Sequence, residues 1–186
     1  FAGPKRLCVF GILTDDRERP LRQGPDDPLP GAFISTTSLT VRGAPAGSQR
    51  RSVDSTQIPF IVLPRALARQ LGVALGDVAM VRRGSNGATV AAVFADLAPT
   101  WGLGEGSIAL HRALGNEPVR PYRGGVPRAK FGIGQRDVTM VIFPGSAVPT
   151  DAAPANWQAA IERAAEARLT AWGGRERLAA CAGFGS

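Results

Sequence analysis

The sequence predicts a mainly β protein with α additions, an α+β chain built around a small β-barrel. Three observations predict it. Six or so short apolar or β-branched runs are each fenced by Gly and Pro. Several neighbouring runs are joined by turns too short for a parallel crossover. Regular alternation of strand and helix, as in a doubly wound α/β fold, is absent. The chain has 186 residues, 44% hydrophobic and 20% charged. That suits one domain, or one domain with an appendage, able to bury a sizeable core.

The elements follow in order. Residues 7–13, LCVFGIL, are a short apolar run before Thr14-Asp15-Asp16 and read as a buried strand. Residues 15–31 are rich in Pro, Asp, Gly and Arg and read as an exposed loop. Residues 32–41, AFISTTSLTV, are β-branched and strand-like, and 42–57 form a polar, basic loop. The run 58–64, IPFIVLP, is a strand between two prolines. Residues 65–72 then suit a short helix stopped by Gly72. Runs 77–83 and 88–94 flank Gly84-Ser85-Asn86-Gly87, and Asn-Gly between apolar runs signals a hairpin. A helix is expected over 105–115 and a strand over 137–143. Trp157, Ile161, Ala164, Ala165, Arg168, Leu169 and Trp172 recur at helical spacing up to Gly173-Gly174, with a second short helix over 175–182.

Composition limits the chemistry. One His and two Cys exclude a zinc site made of four Cys/His ligands, and no metal or cofactor is expected. No apolar run is long enough to suggest a transmembrane helix. The chain opens on Phe1 without a signal-type segment, so either a leader has been removed or this is an excised domain, and the expectation is a secreted or periplasmic protein. Cys8 and Cys181 lie near opposite ends, and whether they form a disulfide is open. The net charge is +7. The surplus sits in two stretches, residues 31–53 at +3 and 118–150 at +4, whereas the other segments balance. Basic loops of this kind attract anionic polymers, a cell-wall polymer among them. They hold one Tyr and one Phe between 118 and 136, thin stacking for single-stranded nucleic acid, so no specific nucleic-acid partner is expected.

Five carboxylates lie between residues 52 and 117: Asp54, Asp77, Asp96, Glu105 and Glu117. Asp96 closes an apolar strand, and Glu105 sits in Trp101-Gly102-Leu103-Gly104-Glu105-Gly106-Ser107, where a helix begins. A strand end and a helix start joined by a glycine-rich loop can bring two carboxylates to one cleft. Glycoside hydrolysis needs such a pair, one to protonate the leaving oxygen and one to activate water or attack. Trp101, between them, is placed to stack on a sugar, and Asp54 is assigned to substrate binding. Glu105 near a helix N-terminus suits the ionised base, and Asp96 after an apolar strand suits the proton donor. The plainer readings are a turn residue for Asp96, a dipole-favoured charge for Glu105 and a packing role for Trp101. The glycine-rich loop lacks the third Gly of a dinucleotide fingerprint and any Gly-Lys-Ser/Thr. His111 has no Gly-x-Ser-x-Gly elbow before it.

The motif order resembles one family. Gly31-Ala32-Phe33-Ile34-Ser35-Thr36-Thr37-Ser38-Leu39, Ile58-Pro59-Phe60-Ile61-Val62-Leu63-Pro64, Gly76-Asp77-Val78-Ala79, Asp96-Leu97-Ala98-Pro99, Gly104-Glu105-Gly106-Ser107 with Leu110-His111-Arg112-Ala113-Leu114-Gly115, and Pro144-Gly145-Ser146 resemble glycoside hydrolase family 75 chitosanases, from about residue 31 to 146. The resemblance implies an inverting endo-hydrolase of β-1,4-linked glucosamine polymers. It implies a six-stranded double-psi-type barrel with acids in an open groove, with Asp96 and Glu105 at the family's catalytic positions. On this reading residues 1–149 are the catalytic barrel with its central helix, and 150–186 a C-terminal helical extension packed on it. Two features depart from the pattern. Ala95 stands where the family has Gly, and a +7 protein is an awkward partner for a polycation such as chitosan. A peptidoglycan-cleaving enzyme (a muramidase-like toxin or autolysin) and a non-catalytic basic polyanion-binding module are the alternatives.

Overall fold

A computed structural model describes residues 11–98, 103–121, 127–134 and 136–181. The architecture is mixed α+β. Strands β1 (Phe60–Pro64), β2 (Val78–Arg83), β3 (Thr89–Ala98) and β6 (Val138–Ile142) form one sheet in the order β1-β3-β2-β6, curled into half a barrel. Strands β4 (Val119–Pro121) and β5 (Pro127–Ala129) form a separate antiparallel pair within the stretch that the sequence suggested was a loop. Six strands are therefore described, divided four and two.

The short connections form as their turn chemistry requires. The β2–β3 hairpin turns through Asn86-Gly87, with Gly87 at φ +73° and the Asn86 side chain accepting from the Ala88 N–H. Helix α1 (Arg65–Leu71) ends at Gly72, whose left-handed φ of +66° lets its N–H reach back to the last turn. β1 and β3 run parallel, so the chain between them crosses over through α1 and β2. Helix α2 (Ile108–Ala113) is shorter than expected because Ser107 caps it, its hydroxyl accepting from the Leu110 N–H.

The expected strand over 32–41 is not a continuous strand. Phe33, Ser35 and Thr40 bridge singly to Arg22, Ile12 and Ser52. Its pairing capacity is divided among three segments, so no ladder builds up. Of the expected strand at 7–13, Ile12 makes only that single bridge, and residues 7–10 lie outside the described residues, as does Cys8.

The sheet has two apolar faces. Ile61, Leu63, Ala79, Val81, Ala92 and Phe94 line one face, closed by Ala68 of α1 and Leu110 of α2. Val62, Val78, Met80, Val93 and Ala95 line the other. Helix α3 (Pro154–Trp172) lies on that second face and buries Trp157, Ile161, Ala165 and Leu169, one residue per turn. Burying a large apolar side chain stabilises by about 1.5–3 kcal/mol, so this seam outweighs any local helix preference. Helix α4 (Gly174–Cys181) adds Leu178 to the same core and ends at a half-buried Cys181. No described helix is long and apolar enough to cross a membrane.

Candidate active site

Strict alternation along β3 would put Asp96 with Ala92 and Phe94 on the closed face. A β-bulge prevents this. Ile61 pairs with Phe94 but Val62 pairs with Asp96, so Ala95 is the extra residue. Ala95 stays in the core of the α3 face and Asp96 turns to the same side as Val62. Bulges commonly re-aim a side chain in this way. Ala95 is not among the positive-φ residues, so alanine meets no backbone penalty where the family pattern has Gly.

Glu105 reaches the same face from the other edge of β1. Gly106 bridges antiparallel to Ile61, the Val62 N–H donates to the Glu105 carbonyl at 3.1 Å, and the Ser107 N–H donates to the Phe60 carbonyl at 3.0 Å. This register sets Glu105 opposite Val62. A side chain at Gly106 would point at Leu110 on the closed face, 2.9 Å from its methyl group, so the neighbouring Glu105 falls on the α3 face, which is open to solvent at this edge of the sheet. Asp96, Val62 and Glu105 thus stand abreast, with the two acids flanking one apolar residue. Two strand spacings of about 4.8 Å put their backbones roughly 10 Å apart. Glu105 is exposed and lies two residues before the Ser107 cap, outside the first turn of a six-residue helix.

Asp96 is half-buried and held by one oxygen. Its Oδ1 accepts from the Ser38 N–H at 2.9 Å, the Ser38 hydroxyl at 2.7 Å and the Leu97 N–H at 2.9 Å. Among the described residues no donor reaches Oδ2. All three donors fall on one oxygen, and Ser38 reaches it from 58 residues away in sequence.

An open cavity of 920 Å³ adjoins this face. Asp54 and Asp96 both line it, with Phe60 and Trp157 among its apolar walls. Its charged lining residues are Asp54, Asp96, Asp151, Arg42 and Arg50, three acids against two bases among the described residues. The basic surplus is therefore not concentrated at the cavity. Glu105 stands outside this lining, on the far side of β1. Partial burial pushes the Asp54 carboxyl up, but hydrogen bonds from Thr56 and Gln57 outweigh it and hold the group below the ordinary aspartate value. Trp101 lies outside the described residues.

Two hydroxyls that sequence reasoning missed organise the site. Thr37 Oγ1 accepts from the Val53 N–H at 2.9 Å and donates to the Leu39 carbonyl at 2.7 Å, tying the segment before Asp54 to the segment beside Asp96. Ser38 then reaches Asp96. The only signal was the run Ser35-Thr36-Thr37-Ser38, which read as part of a strand. His111 lies on α2, with Asn116 Nδ2 3.3 Å from its Nδ1, and burial pushes its pKa down. Among the described residues no group of three His, Cys, Asp or Glu side chains is gathered for a metal.

The family model for the fungal chitosanases of glycosyl hydrolase group 75 matches residues 32–178, which spans both acids, most of the cavity lining and helix α3. No curated protein matches the chain. With most of its length matched, the chain belongs to the group 75 chitosanase family and is a glycoside hydrolase of chitosanase type.

Proposed function

We propose that the protein cleaves β-1,4 bonds of an amino-sugar polymer of chitosan type with inversion, using Asp96 and Glu105. The observation that carries this is the row Asp96–Val62–Glu105 across β1. Inverting hydrolases separate their carboxyls by about 6.5–9.5 Å to admit a water, a separation within reach of side chains on backbones so spaced. One carboxylate takes a proton from water as its oxygen bonds to the anomeric carbon. The other carboxyl gives its proton to the glycosidic oxygen as that C–O bond breaks. Asp54, kept ionised at the cavity wall, contacts the substrate and favours its ammonium groups. Trp101, between the acids in sequence, stacks on a sugar ring.

The acidic balance of the cavity lining supports a cationic substrate despite the +7 net charge. The net charge in turn favours the rival reading, a peptidoglycan-cleaving enzyme on the same fold, whose basic loops hold an anionic wall polymer. Family membership leaves the non-catalytic module without support. We read residues 1–149 as the catalytic unit, 150–186 as a packed helical extension, the half-barrel as part of a six-stranded double-psi-type closure, and the protein as secreted or periplasmic.

Chitosan, chitin and peptidoglycan assayed side by side test the substrate. Chitosan is the one expected to be cut, with the α-anomer appearing first by NMR. Release of muropeptides with chitosan untouched would establish the rival.

A further inference from the structure

Ser38 has no place in the two-carboxylate scheme, yet its contacts to Asp96 are the most developed feature of the site. Its N–H and its hydroxyl both donate to Oδ1, at 2.9 and 2.7 Å. The Leu97 N–H, which donates to the same oxygen, also lies 3.2 Å from Ser38 Oγ, so three groups close a triangle around one carboxylate oxygen. The backbone that presents Ser38 is fixed on both sides. The Leu39 N–H donates to the carbonyl of Ala95, the bulge residue, at 2.8 Å, and Thr37 is tied to Val53 and Leu39. The bulge aims Asp96 at the open face, and Ser38 then fixes which of its oxygens is left over.

We propose that Ser38 is a positioning residue that holds Asp96 by Oδ1, leaving Oδ2 as the base that takes the proton from the attacking water. This rests on the two-carboxylate reading above and adds to it which acid is the base. Three donors on Oδ1 orient the carboxyl, and a base must lie within hydrogen-bond reach of the proton it removes. Glu105, exposed and without a described donor, is then the proton donor to the leaving oxygen. The exchange balances: the water proton goes to Asp96 Oδ2, the hydroxyl to the anomeric carbon, and the Glu105 proton to the departing sugar oxygen.

The test compares wild-type, Ser38→Ala, Ser38→Thr and Asp96→Asn proteins in steady-state kinetics on soluble chitosan oligomers, with kcat/KM measured across pH. The base sets the acidic limb of that profile and the acid sets the alkaline limb. Ser38→Ala, which keeps the backbone donor, should lower kcat about tenfold with KM within twofold. It should move the acidic limb up, since one hydrogen bond to the base is lost. Ser38→Thr, which keeps the hydroxyl, should restore both. A shift of the alkaline limb instead overturns Asp96 as base. An unmoved profile with kcat within twofold, in folded Ser38→Ala protein, overturns the positioning role. Asp96→Asn separates the two levels: full activity there overturns the two-carboxylate reading itself, whereas an inactive Asp96→Asn beside an unaffected Ser38→Ala overturns only the role of Ser38.

Discussion

Asp77 and Asp96 sit near the ends of the neighbouring strands β2 and β3, yet they divide their hydrogen-bond donors differently. Asp77, just before β2, is 1% exposed. Its Oδ1 accepts from the Ser146 N–H and its Oδ2 from the Ala74 N–H, both at 2.8 Å. Ser146 in turn accepts from the Val78 N–H and donates to the Phe143 carbonyl. Both oxygens are spent on backbone, and the group pins the start of β2 to the turn after β6. Asp96, which lines the cavity, concentrates its donors on one oxygen. The two groups differ in how their donors are divided between the two oxygens, more than in their number.

Substitutions at the two aspartates should break that comparison cleanly. Asp96→Asn should lower chitosan turnover by about 10³-fold or more, since acid–base groups typically contribute 10²–10⁴. Its circular dichroism and melting temperature should stay near wild type. Glu105→Gln should do the same. Asp77→Ala should reverse the pattern. It leaves the buried Ser146 N–H and the part-buried Ala74 N–H without acceptors and should cost about 2–4 kcal/mol in urea unfolding, with activity per folded molecule retained. If Asp77→Ala instead loses turnover at full stability, the contrast is wrong.

Smaller effects sharpen it further. Ser146→Ala should cost about 1–2 kcal/mol, because the Val78 N–H loses its acceptor. Asp54 offers the mildest test, through pH. Its carboxyl lies below the ordinary aspartate value when folded, so the stability it contributes is present above the unfolded value of about 3.9 and is lost as pH falls through the folded one. The difference in melting temperature between wild type and Asp54→Asn should therefore be positive at pH 6 and shrink toward zero as the buffer is taken below pH 4.

Much of the scaffold could be read before folding. Pro59 and Pro64 fenced a strand that forms as β1, Asn86-Gly87 turned the hairpin, and Gly72 stopped α1. Each is a local effect settled within a few residues. The run 32–41 was misread because β propensity says a segment can pair, not that one continuous partner exists for it. The surroundings of Asp96 were hidden for a related reason: nothing near it in sequence announced Ser38 as a donor.

By itself the sequence determined the pieces: the ordered motifs that carry the family, the two acids, the amphipathic seam of α3 and the turn residues. Only the tertiary structure decided how they are aimed. An extra residue at Ala95 moves Asp96 to the open face, and Ser38 arrives across 58 positions to occupy one of its oxygens. The division has a physical cause. Propensity and periodicity act over a turn or a strand, whereas pairing register and long-range hydrogen bonds depend on which surfaces pack together once the whole chain is assembled.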